Sequence, residues 1–203
     1  VPAITERQAK TQYGLMPSGH VIGWSLKCAS TLIVKSARII RRLGIYEARE
    51  AADEGKDVLL VVRHPLDRLV SNYVFWRTTN AAAVHGLFYN HPENGPQIVL
   101  PDDKKLISIE EWYEFQERKY NAHWADQAEY HSDAKGLVPN VLYPWEVLGT
   151  LQTIPVNASP REGTWEDYFT PEFREKMEER YADDLALYER ALSEWSGDRP
   201  KYF

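Results

Sequence analysis

Val58-Leu59-Leu60-Val61-Val62 is the stretch that most limits what this chain can fold into. Five apolar residues in a row show no alternation between apolar and polar positions. A strand of that kind has both faces covered, as a parallel strand does in a sheet flanked by helices. Arg63-His64-Pro65 follows at once, and a helix is predicted over about 66–77. Pro65 suits a first helical position, where its missing N–H costs nothing. Arg63 then stands at the carboxyl end of the strand, and Ser71 lies on the helix that follows. A guanidinium so placed can hold a phosphate through two parallel hydrogen bonds.

The same order occurs upstream. Val21-Ile22-Gly23-Trp24 predicts a strand over about 20–25, and a helix is predicted from about Ser30 to Leu43. Leu32, Ile33, Ala37, Ile40 and Leu43 would give that helix its apolar face, and Gly44 would end it. Between the two lies Lys27-Cys28-Ala29-Ser30-Thr31. The first N–H groups of a helix have no intrahelical partner and bind anions. Ser30 and Thr31 add hydroxyl donors and Lys27 a mobile positive charge, so this loop is suited to phosphate. It does not fit G-x-x-x-x-G-K-[ST], because Gly19, Gly23 and Lys27 are spaced G-x-x-x-G-x-x-x-K. The bland alternative is a strand-to-helix turn with Ser or Thr as cap.

Elsewhere, residues 1–19 read as irregular, with a short helix near Glu6–Tyr13. Residues 46–54 are helix-prone and Gly55 breaks them. From Thr78 to Lys105 periodicity dissolves into Asn, Gly and Pro, the composition of a lid or binding loop. A helix containing Trp112, Tyr113, Phe115 and Tyr120 comes next, then a strand over Asn140–Tyr143. Thr170-Pro171 opens a long helix whose apolar stripe is Phe173, Met177, Tyr181, Leu185, Tyr188 and Leu192. Strands alternating with helices predict an α/β fold with a parallel sheet, and 203 residues suffice for one domain.

The net charge of −6 and the lack of a basic run argue against a nucleic-acid partner. The acidic residues of Glu162–Asp167 and Glu172–Asp184 read as solvated helix faces. No apolar run approaches the roughly 20 residues of a membrane span. Cys28 is the single cysteine, so an intrachain disulfide is excluded and a reducing compartment is favoured. No His/Cys/Asp cluster has metal-ligand spacing.

Taken together, the two motifs resemble those of sulfotransferases that use 3′-phosphoadenosine 5′-phosphosulfate (PAPS). The Lys27 loop resembles their 5′-phosphosulfate loop, P-K-x-[AG]-[ST]-[ST], with Leu26 in place of the proline. Arg63 to Tyr73 resembles their 3′-phosphate motif, R-[DH]-P-x-x-R-x-x-S-x-Y. The carbohydrate branch of the family is the most similar. His123-Trp124-Ala125-Asp126-Gln127 resembles its H-W-x-P-Q motif, with Asp126 in place of the proline. Val141 to Leu148 resembles its next strand and turn, and Tyr181-x-x-Asp184-x-x-x-Tyr188 its C-terminal helix. The likeness spans roughly residues 20–190, with little match over 78–105. It implies a P-loop-NTPase-like three-layer sulfotransferase fold over residues 1–203, with 78–105 forming the acceptor-site loop. It also implies transfer of a sulfuryl group from PAPS to an acceptor hydroxyl, of a saccharide by preference, leaving adenosine 3′,5′-bisphosphate and needing no metal. The implied cofactor-binding residues are Lys27, Cys28, Ala29, Ser30, Thr31, Leu32, Arg63 and Ser71, with Lys27 also catalytic. Golgi members carry a membrane anchor and disulfides, so the expectation is a cytoplasmic enzyme of bacterial or viral origin, the alternative being a trimmed lumenal domain.

Sulfuryl transfer needs donors at the departing phosphate oxygen and a base for the acceptor hydroxyl. His123, within a motif, and His85, within the long loop, are the candidate bases, with His91 beside them. His64 is on the correct edge of the sheet but beside the 3′-phosphate site. His20, Glu47, Glu50, Asp53 and Glu54 are expected at the opposite edge. Arg68 reads as structural or solvated. Two other functions remain open: a nucleotide-dependent phosphotransferase, which would need ATP and Mg²⁺, and a nucleotide-binding module without catalysis.

Overall fold

The computed structural model describes residues 13–25, 28, 33, 37–78, 108–117, 125–147 and 161–197. Among these, β1 (Tyr13–Leu15), β2 (Val21–Gly23), β3 (Arg41–Leu43), β4 (Val58–Val62) and β7 (Val141–Pro144) form one sheet in the order β3-β1-β2-β4-β7. A separate two-stranded ribbon joins β5 (Ser132–Asp133) to β6 (Gly136–Leu137). β2 pairs parallel with β4, and β4 with β7; β1 runs antiparallel to both of its neighbours. Four of the five strands therefore point the same way. The chain is a mixed α/β protein.

β4 lies between two parallel partners and all five of its residues are buried. Its alternate side chains enter different clusters. Leu60 and Val62 meet Leu142, Leu187 and Ala191, while Leu59 and Val61 meet Met16, Ile22, Ile33 and Val147. Both faces of the sheet are thus covered, which is why the strand's sequence carries no alternation.

Helix α1 (Ile45–Asp53) buries Ile45, Ala48 and Ala51 against Tyr13, Val21 and Val58. Gly55, at φ +80°, ends the run as expected, in a conformation open to glycine at little cost. Helix α2 (Pro65–Thr78) opens at Pro65, the first helical position, as predicted. It packs Leu66, Leu69, Val70 and Tyr73 against α3 (Ile109–Glu117) and α5 (Pro171–Arg180). Thr170 caps α5, its Oγ1 accepting from the Phe173 N–H at 3.2 Å.

Several expectations are corrected. The helix predicted to reach Leu43 does not: residues 37–38 turn, and Arg41–Leu43 is an edge strand. Ile40 is 63% exposed and Leu43 is buried as a strand residue. Gly44 begins α1 instead of ending a helix, its N–H donating to Glu47 Oε2 at 2.9 Å. This extra strand climbs back to the carboxyl edge. α1 therefore starts at that edge, and Glu47, in its first turn, lies there and not at the opposite end. Tyr13–Leu15 forms a strand where irregular chain was expected. The C-terminal helix breaks at Tyr181 into α5 and α6 (Ala182–Glu194). The break rephases the stripe, so Leu187 and Ala191 face inward while Leu192 is 41% exposed. Asp184, expected on a solvated face, is wholly buried.

Candidate functional site at the carboxyl edge of the sheet

Among the described strands, β2 leads to β3 on one side of the sheet and β4 leads to β7 on the other. The two neighbours part company at their carboxyl ends, which is where open α/β sheets hold ligands. Ser25 and Cys28 follow β2, and Arg63 and His64 follow β4. The two motifs seen in the sequence therefore meet at one place.

A four-residue turn of helix, α4 (Gln127–Tyr130), crosses this edge. Its position is set by Asp184 on α6, whose carboxylate accepts from the N–H groups of Gln127 (2.9 Å) and Ala128 (2.8 Å). These are orphan donors of a helix start, so the carboxylate caps α4 from outside. Arg68 Nη2 stands 3.7 Å from Asp184 Oδ2 and donates to the Ala125 carbonyl at 2.5 Å. Arg68 is thus structural, one of the two roles expected of it.

Gln127, fully buried, joins the two motif loops. Its Nε2 donates to the Arg63 carbonyl at 2.8 Å, and its Oε1 accepts from the Arg63 N–H at 3.1 Å. The same oxygen accepts from the Cys28 thiol at 3.0 Å. Burial pushes that thiol up to about 11, so Cys28 is a neutral donor and not a thiolate. One turn on, His131 lies within 3.0 Å of Ser25 Oγ through Nε2 and within 2.9 Å of the Tyr13 hydroxyl through Nδ1. Burial, aided by the Arg68 charge, pushes His131 down to about 3 and keeps it neutral. Burial also raises the Tyr13 phenol well above its ordinary value. These groups tie loops together; sealed from solvent, they are not placed to meet a substrate.

The charged part of the site lies on the β4 side. Arg63 Nε donates to Asp67 Oδ2 at 2.5 Å, and the guanidinium rests 4.6 Å from the centre of the Trp145 ring. Arg161 donates to the other oxygen of the same carboxylate. Burial opposes the Asp67 charge, but Arg63 and Arg161 together hold its carboxyl below the usual range. Ser71 is one turn beyond Asp67 on α2, partly exposed. Arg63, Asp67 and Ser71 therefore share one helical edge. His64 stacks on Trp165 at 4.5 Å and meets Tyr188 edge-on at 5.3 Å. Burial lowers the His64 imidazole below its ordinary value. Tyr188 in turn donates to Glu146 at 2.5 Å.

Of the residues singled out in the sequence, Cys28 and Arg63 are brought together and Ser71 lies on the same edge as Arg63. Lys27, Ala29, Ser30, Thr31, Leu32, His85, His91 and His123 lie outside the described residues, as does all of the 78–105 stretch beyond Thr78. Three contributors were not chosen from sequence. Gln127 sat within the H-W-x-x-Q motif, which was its signal. His131 and Arg161 carried none, because each reaches the site from a distant segment. Among the described residues, no helix is long and apolar enough to cross a membrane. No family model matches the chain, and neither a curated protein nor a solved structure matches it.

Proposed function

We propose that the chain is a PAPS-dependent sulfotransferase, acting on an acceptor hydroxyl of a saccharide, on a P-loop-NTPase-like three-layer fold. One observation carries this reading: the carboxyl ends of β2 and β4, each followed by an anion-binding motif, are adjacent and joined through Gln127 to Cys28 and Arg63. The charge arrangement suits the donor nucleotide. Arg63 and Arg161 already converge on one anion, the Asp67 carboxylate, and a 3′-phosphate presents the same charge to the same guanidiniums. The donor supplies an electrophilic sulfur on a phosphate leaving group. Lys27, with Ser30 and Thr31, neutralises charge on the departing phosphate oxygen. The acceptor oxygen forms the new S–O bond as the S–O bond to phosphate breaks, and its proton passes to His123 or His85.

A thermal-shift panel tests the reading. Adenosine 3′,5′-bisphosphate should stabilise the protein clearly, by about 2.7 kcal/mol at 100 times its Kd. ATP with Mg²⁺ and NAD should shift it less. A larger shift with ATP–Mg²⁺ would favour a phosphotransferase, and bisphosphate binding without transfer to any saccharide would favour a non-catalytic module.

A further inference from the structure

Gln127 meets Arg63 just past the end of the sheet ladder, whose last β4–β7 pair is Val62 with Pro144. There the Arg63 N–H and carbonyl have left the strand, and burying them unpaired would be costly. The side-chain amide of Gln127 carries a donor and an acceptor spaced like those of a peptide, so it pairs with both. Its oxygen has a second lone pair, and the Cys28 thiol takes it. Every atom of this junction is buried: Cys28 and Gln127 are 0% exposed and Arg63 is 8% exposed. In a close-packed interior such a junction cannot stretch without breaking. It also stands on a fixed base, since Asp184 holds the backbone of α4 and His131 holds Ser25.

We infer that Gln127 is a positioning residue that sets the spacing between the Cys28 loop and Arg63, and so selects nucleotides carrying phosphate at both the 3′ and the 5′ position. The selection rests on the nucleotide site proposed above; the coupling of the two loops does not. A ligand with one phosphate engages one loop and is indifferent to their separation. A bisphosphate spans both and gains its second set of contacts only when the loops are correctly spaced. The junction acts by position, since none of its atoms reaches solvent.

The experiment uses Gln127→Met, close in length and without the amide. Two readouts are taken on the full chain at matched fraction folded. The first is the labelling rate of Cys28, the single thiol, by a chromogenic disulfide reagent without nucleotide. It should rise about tenfold or more as the thiol loses its acceptor. The second is the ratio of affinities for adenosine 3′,5′-bisphosphate and adenosine 5′-phosphate, by calorimetry. The preference for the bisphosphate should fall about tenfold, as the loss of one charge-assisted contact implies, with the monophosphate changed less than about twofold. Cys28→Ala should lower the ratio in the same direction and Cys28→Ser should restore it; these variants carry the test if Gln127→Met does not fold. Unchanged labelling in folded Gln127→Met overturns the coupling. Equal losses for both nucleotides, or an unchanged ratio, overturn the selection. If the wild type binds no bisphosphate, the nucleotide site itself is wrong and the selection falls with it, while faster labelling still upholds the coupling.

Discussion

Replacing Asp67 by Ala should remove the anion that holds two guanidiniums together. Arg63 bears most of the consequence. It is 8% exposed, and its Nε–Asp67 hydrogen bond of 2.5 Å is charge-assisted. Deleting one partner of a buried pair costs about 3–5 kcal/mol, because the remaining charge is left uncompensated. Trp145 offsets some of this, since a cation over an aromatic ring gains about 0.5–2 kcal/mol. Arg161, with its side chain 32% exposed, can turn toward water, so its half of the arrangement is worth about 1 kcal/mol or less. The net loss should be about 2–4 kcal/mol, and a protein of this size loses about 2–4 °C of Tm per kcal/mol. The assay is urea unfolding of wild type, Asp67→Ala, Arg161→Ala and the double variant. Acid unfolding adds an independent check. The native carboxyl is depressed, so its stabilisation is complete above the unfolded value of about 3.9 and is lost as pH falls through the lower native value. Asp67→Ala should lack that component. A loss under about 1 kcal/mol, or an acid limb identical to wild type, would refute the idea that Arg63 depends on this carboxylate. Adding adenosine 3′,5′-bisphosphate should restore more stability to Asp67→Ala than to wild type, since a phosphate then replaces the missing anion.

His131 is neutral in the folded protein, with its pKa pushed down to about 3, and ordinary when unfolded at about 6.5. The unfolded chain takes up the proton first, so stability should fall as pH drops below about 6.5, by up to about 1.4 kcal/mol per pH unit for one proton. His131→Gln should flatten that slope in urea titrations between pH 7 and 4; equal slopes would mean the imidazole is solvated. Gly23→Ala should destabilise by about 1–3 kcal/mol, measured by thermal unfolding. The added methyl would stand 2.8 Å from the Tyr13 ring, which is held in turn by His131, and wild-type stability would show that the ring can yield. Lys27→Ala should lower the transfer rate about 10²–10³-fold while weakening nucleotide binding less. A wild-type rate would remove the loop from the mechanism.

The strand at Val58–Val62, its parallel neighbours and the Pro65 helix start were legible because their signals are local. An unbroken apolar run, a proline at a first helical position and a glycine at a helix end each constrain the backbone within a few residues. Arg41–Leu43 was not legible. Two consecutive arginines after an apolar stretch fit a helix surface as well as an edge strand, and only pairing with Tyr13–Leu15 chose the strand. That choice moved Glu47 to the opposite end of the sheet from where the sequence put it. Asp184 shows the same limit. An aspartate on a polar helix reads as solvated, and what buries it is the helix start of Gln127, 57 residues away in the chain.

By itself the sequence determined that two strand-to-helix motifs with anion-binding residues exist, since each is encoded in about ten consecutive residues. Only the tertiary structure decided that they share one edge, that Gln127 joins them, and that Asp67 lies between Arg63 and Arg161. Those relations depend on contacts between segments separated by 57 to 99 residues. Their energy comes from burial and from hydrogen bonds that exist only once the sheet has assembled, and no local pattern of residues carries that information.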